Sequence, residues 1–193
     1  MLRASAAGLS LIEVLLALSL AMAAAGAAVP AAFEINRALK MRAAAAFVSG
    51  YLQQARLEAV KRSRPIGVRF RAAPDDWLIG SYADGNGNGI RSTDIAAGID
   101  RVIDEETTFS ARCPSVRIAR LDDVPDVNGE EGGAAVRFGA SGIATFDADG
   151  SSSSGSLYIT DGRTQIAVTV TAATGRIRLR RWDARGRVWE PMR

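Results

Sequence analysis

The chain has 193 residues, a formal net charge of +3, a single cysteine and no histidine. The missing histidine removes the Ser-His-Asp and Cys-His catalytic arrangements and the commonest metal ligand. Cys113 alone can neither close an intramolecular disulfide nor assemble a zinc site, so no enzymatic activity, metal or cofactor is expected.

The length suits one domain plus a membrane segment. The chain opens on an apolar run that holds one carboxylate, Glu13, and has no charge from 14 to 33. At about 1.5 Å per residue that run is about 30 Å of helix, one bilayer thickness, so a transmembrane helix is expected over about 12–33. A carboxylate there costs roughly 2.5 kcal/mol or more near the bilayer centre. It is tolerable only when paired, which implies a partner for Glu13. A secretory signal cut near Ala23-Ala24-Ala25 is the alternative. Glu13 lies inside what would be its hydrophobic region, and no turn signal separates the run from the helical segment that follows.

Residues 34–62 are rich in Ala, Leu, Arg and Glu, which favour helix. Phe47, Val48, Tyr51, Leu52, Ala55 and Ala59 recur at helical spacing as one apolar stripe, with Arg42, Gln53, Arg56 and Lys61 opposite. Pro30 should kink or loosen the helix. Ser63-Arg64-Pro65 should end it, because the residue before proline avoids the α region. Beyond Pro65 the period becomes two. Strands are expected at 66–70, 77–82, 101–104, 116–119, 134–138, 143–146, 157–160, 164–171 and 176–182. Asp84-Gly85-Asn86-Gly87-Asn88-Gly89 reads as a hairpin turn. It also matches the start of an EF-hand loop, but Ile95 stands where the twelfth-position glutamate belongs. The acidic, Gly-rich 122–133 reads as a loop and the serine-rich 151–156 as a turn or mobile loop. The carboxylates at 104–106 and 122–123 read as solvated loop charge.

The C-terminal stretch is the most distinctive soluble feature. In Thr174-Gly175-Arg176-Ile177-Arg178-Leu179-Arg180 three arginines alternate with apolar residues. They should form a positive ridge about 13 Å long on one strand face, with Ile177 and Leu179 toward the core. Seven arginines stand against Asp183 and Glu190 from 175 to 193, with Trp182 and Trp189 interleaved. Such a ridge can meet backbone phosphates while tryptophans stack on bases. The plainer reading is a solvated edge strand whose charges deter aggregation.

Gly8-Leu9-Ser10-Leu11-Ile12-Glu13 resembles the prepilin signature of the type IV filament superfamily. The resemblance implies a leader at 1–8, cleavage between Gly8 and Leu9 by a prepilin peptidase, and N-methylation of Leu9. It also implies pairing of Glu13 with the N-terminal amine of a neighbouring subunit. Leu9 replaces the usual phenylalanine, and the leader holds one basic residue, Arg3. Ala55-Arg56-Leu57-Glu58-Ala59-Val60-Lys61-Arg62 resembles the helix end of the GspH/FimT minor pilins and pseudopilins, as does the 77–79 strand leading into an Asp/Asn/Gly turn. Gly175-Arg176-Ile177-Arg178 resembles the G-R-x-R motif of FimT-like members that bind DNA during uptake.

The expected fold is α+β and pilin-like, with a long N-terminal helix (9–63) packed on an antiparallel β domain (64–193). The resemblance implies a subunit in a pilus or pseudopilus, anchored by one helix in a bacterial inner membrane with its β domain in the periplasm. Its partners would be other pilins or pseudopilins, the prepilin peptidase and double-stranded DNA. The candidate DNA-contacting set is Gly175, Arg176, Arg178, Arg180, Arg181 and Arg187. The alternative is a structural pseudopilin of type II secretion that contacts only partner subunits.

Overall fold

The computed structural model describes residues 10–192, so the expected cut between Gly8 and Leu9, and Arg193, lie outside the described residues. The chain divides into two compact units, one reaching Leu39 and one from Lys40 to Arg193. Helix α1 (Leu11–Arg62) contributes to both and continues through Pro30.

In the first unit, α1 starts with a capping box. The Ser10 Oγ accepts from the Glu13 amide at 3.3 Å, and Glu13 Oε2 accepts from the Ser10 amide at 2.8 Å and from its hydroxyl at 2.9 Å. These reciprocal bonds satisfy amides that a helix start leaves without intrahelical partners. Leu11, Ile12, Leu16 and Leu20 are all at least 70% exposed.

In the second unit, α1 buries Met41, Ala44, Ala45, Val48, Leu52, Ala55 and Ala59 at three- and four-residue spacing. The expected stripe is therefore a core face, extended upstream by three residues and kept shallow by alanine. The helix ends in a Schellman motif: the Arg64 amide donates to Ala59 O (3.1 Å) and the Ser63 amide to Val60 O (3.2 Å). Ser63 takes the left-handed position, φ 48°, where glycine is usual.

The β domain consists of two antiparallel sheets where one run of strands is expected. In chain order the elements are β1 (Ile66–Ala72), β2 (Trp77–Ala83), α2 (Ser92–Ala96), β3 (Arg101–Thr108), α3 (Phe109–Arg112), β4 (Arg117–Ile118), β5 (Val136–Arg137), β6 (Ile143–Phe146), β7 (Gly155–Thr160), β8 (Gln165–Thr171), β9 (Arg176–Asp183) and β10 (Val188–Pro191). The first sheet runs β3-β2-β1-β6 and the second β10-β9-β8-β7-β4, with β5 also on β7. The inner faces of both sheets join the helix stripe in one apolar cluster that includes Ile66, Val68, Phe70, Phe146, Leu157, Ile159, Val168 and Val170.

Four local expectations are corrected. Residues 84–89 do not form a hairpin turn; they begin an excursion through α2 to β3. Residues 104–106 belong to β3 and are not loop charge: Glu106 accepts from Arg71 Nη2 at 2.5 Å and from Tyr82 Oη at 3.1 Å. The serine-rich segment is held down, with the Ser152 amide on Ala172 O (3.0 Å) and the Ser153 amide on Thr145 O (2.9 Å), and it runs directly into β7. The last hairpin is β9–β10, not β8–β9. β10 escapes period-two reading because it is four residues long and ends in proline.

Candidate arginine face

β8 and β9 are joined by a 3-10 turn (Ala172–Thr174) and Gly175, whose φ is 57°. A Cβ at Gly175 would stand 2.5 Å from Gly150 O and 2.8 Å from Arg56 Nε, while Arg56 Nε donates to Gly150 O at 3.0 Å. Glycine is required here by backbone conformation and close packing. That gives this member of the candidate set a structural duty whatever the arginines do.

The register of β9 on β8 is continuous from Thr171↔Arg176 to Ile166↔Arg181. Ile177 and Leu179 therefore pack on the core, as expected, and Arg176, Arg178 and Arg180 share the outer face. None of these three guanidinium groups has a hydrogen-bond or ion-pair partner among the described residues. Arg181 lies on the opposite face of the strand, with Nη2 3.7 Å from Glu190. Arg187 stands in the β9–β10 turn at φ 50°, where Asp183 Oδ2 accepts from the Gly186 amide at 2.8 Å. The structure thus groups Arg176, Arg178 and Arg180 and leaves Arg181 and Arg187 apart.

Cross-strand register brings in a residue that strand-by-strand reading misses. Arg137 opposes Ser156, Ser156 opposes Thr169, and Thr169 opposes Arg178, so these four form one row across β5, β7, β8 and β9. The next row is Tyr158, Ala167 and Arg180. Between them lies an open concavity of about 350 Å³ lined by Arg137, Arg178, Arg180, Asn128 and the hydroxyl residues Ser154, Ser156, Thr169 and Thr171.

The acidic loop after β4 is fastened over the same face. Trp189 Nε1 donates to Pro125 O (3.2 Å) and Asp126 O (3.1 Å), and Tyr158 Oη accepts from the Val127 amide at 3.1 Å. Tyr158 is fully buried beneath the loop, and the Arg120 guanidinium lies 5.2 Å from its ring centroid. Asp126 is 1% exposed, accepts from the Asn128 and Glu130 amides at 2.7 and 2.8 Å, and pairs with Arg137. Burial would raise its carboxyl, but the two amides with Arg137 and Arg120 hold it below the usual carboxylate range. Arg137 Nη2 reaches Glu130 at 2.9 Å. Trp189 also packs 5.5 Å from Trp182 at 60°, so this indole is committed within the domain instead of being free to stack on bases.

The EF-hand-like segment uses its oxygens on its own backbone. Asp84 accepts from the amides of Asn86, Gly87 and Gly89, and Asp100 from those of Gly85 and Arg91. Among the described residues no three His, Cys, Asp or Glu side chains gather as metal ligands. Cys113 is buried, and burial pushes its thiol up to about 11.

A helix with an exposed apolar start, joined to a domain in which the same helix packs on antiparallel sheets, defines a pilin-like α+β subunit. The family model described as type II transport protein GspH matches residues 44–175, more than half of the chain, and the chain belongs to that family. Its place is among the minor pilin and pseudopilin subunits, which are structural proteins. The match ends at Gly175, so Arg176 and the arginines after it lie beyond it. No curated protein and no solved structure matches the chain.

Proposed function

We propose that the chain is a minor subunit of a type IV pilus-like or type II secretion filament, without catalytic activity, stored in the bacterial inner membrane with its β domain in the periplasm. One observation carries this reading. The start of α1 has a stretch of mean hydropathy 2.1 with none of it buried, while the domain after it has a complete core of its own. Such a helix needs lipid or neighbouring helices around it. Prepilin peptidase removes 1–8, Leu9 is methylated, and Glu13 exchanges its bonds to Ser10 for the amine of a neighbouring subunit. Glu13→Ala should abolish incorporation into the filament, measured by the fraction recovered in sheared filaments. Full incorporation would overturn the assembly role. Mass spectrometry should find methyl-Leu9; a chain starting near Gly26 would mean a cleaved signal peptide.

The second reading is DNA contact during uptake, through the outer face of β9. It is supported by three guanidinium groups on one face with no partner among the described residues. Arg176, Arg178 and Arg180 would meet backbone phosphates, with Gly175 shaping the turn and Arg181 and Arg187 adding weaker field from the strand end. Duplex affinity should fall steeply with salt, because each phosphate contact releases counterions. It should collapse in the Arg176→Ala/Arg178→Ala double variant. No binding at low salt would leave the face as a contact surface for partner pseudopilins.

A further inference from the structure

The concavity between β5, β7, β8 and β9 contains more than the arginine strand: a third cation, Arg137, stands there paired with two carboxylates. Arg178 and Arg180 reach it from β9, and Arg137 from β5 on the far side of the sheet. Between the three lie the hydroxyl residues Ser156 and Thr169 in the same row, with Ser154 and Thr171 at the rim. Apolar lining is limited to Val127 and Val170. Three guanidinium forks beside hydroxyl groups suit a tetrahedral anion with several oxygen acceptors, which is a phosphate, free or in a diester. A peptide carboxylate would offer fewer acceptors and would find little apolar surface for its flanking side chains. The volume of about 350 Å³ admits a phosphate together with the sugar that carries it.

Arg137 sits between two acids of different character. Asp126 is buried and already bonded to two backbone amides, so it keeps one arm of the guanidinium in place. Glu130, on the other arm, has a side chain 66% exposed. Exposed ion pairs are weak and are readily exchanged for a better anion. We propose that this concavity is a discrete phosphate-binding site built from Arg137, Arg178 and Arg180, with Glu130 as a built-in competitor that occupies Arg137 until a phosphate displaces it. The site deepens the DNA reading by assigning one phosphodiester to one pocket, and it rests on that reading only for the owner of the phosphate.

The test uses the full chain in neutral detergent, titrated with inorganic phosphate by arginine side-chain NMR, and separately with a short DNA duplex. Arg137→Lys keeps a charge for Asp126 but loses the fork, and should weaken phosphate binding about tenfold. Glu130→Gln should strengthen it about threefold, the scale of an exposed pair. Arg180→Gln, which disturbs no ion pair, should weaken it without change in thermal stability, and Arg185→Ala in the β9–β10 turn should leave it unaltered. Phosphate affinity unmoved by Glu130→Gln and by Arg180→Gln would overturn the site. Phosphate binding with the expected pattern but no duplex binding would uphold the pocket and sink the DNA reading. Duplex binding indifferent to Arg137→Lys, Arg180→Gln and Glu130→Gln would do the reverse.

Discussion

Gly175 and Arg137 show how much a single position owes to its surroundings. Glycine before an arginine resembles a binding motif, yet its positive φ and the Gly150 carbonyl 2.5 Å from any Cβ give it a backbone reason to be glycine. Gly175→Ala should destabilise the domain by about 1–2 kcal/mol from the left-handed backbone alone, with more from the clash. Thermal unfolding of the variant checks this, and an unchanged melting temperature would mean the turn relaxes freely. Arg137 escaped sequence reading for the opposite reason. It lies alone in a two-residue strand 39 positions before Arg176 in numbering, and only the register across Ser156 and Thr169 places it beside the arginine strand.

The helix was the most legible element, since its apolar stripe repeats over several turns and its end is marked by Ser63-Arg64-Pro65. The Schellman ending adds a testable detail. Ser63 occupies a left-handed position that glycine takes without steric cost, so Ser63→Gly should stabilise the domain by up to about 1 kcal/mol, read from a urea melt. The segment 122–133 is legible as a loop but not as a fastened one. Its anchors are the Trp189 indole and the Tyr158 hydroxyl, both far away in sequence, and Arg137 just past its end. Trp189→Phe removes the donor to Pro125 O and Asp126 O while keeping a ring. It should cost about 1 kcal/mol and speed amide exchange over 124–130 relative to β8. Equal protection in the variant and the native chain would mean the indole does not hold the loop. Short β4 and β5 are blurred at their ends, and β10 is missed altogether, because two to four residues carry too little periodicity.

For the β domain as a unit, acid should be the weak point. Burial pushes the carboxyls of Asp84, Glu106 and Asp126 up, but backbone amides around Asp84 and Asp126, and Arg71 with Tyr82 around Glu106, outweigh it and hold all three low. A carboxyl whose folded-state pKa is depressed stabilises the fold above its unfolded value, and that contribution disappears as pH falls through the folded value. The urea midpoint should therefore be flat near neutrality and decline below about pH 4. Glu106→Gln should flatten part of the decline while lowering the plateau. A midpoint independent of pH down to 3 would contradict the role given to these pairs.

The apolar opening, the helix and its amphipathic second half, and the alternation of most strands follow from local composition and period. They depend on near neighbours in the chain and on contact with lipid or water, and these are written residue by residue. The division into two sheets, the fastening of the acidic loop and the gathering of Arg137 with Arg178 and Arg180 come from tertiary structure. They depend on which strands pair and in what register, and that is settled by how one apolar cluster closes around α1.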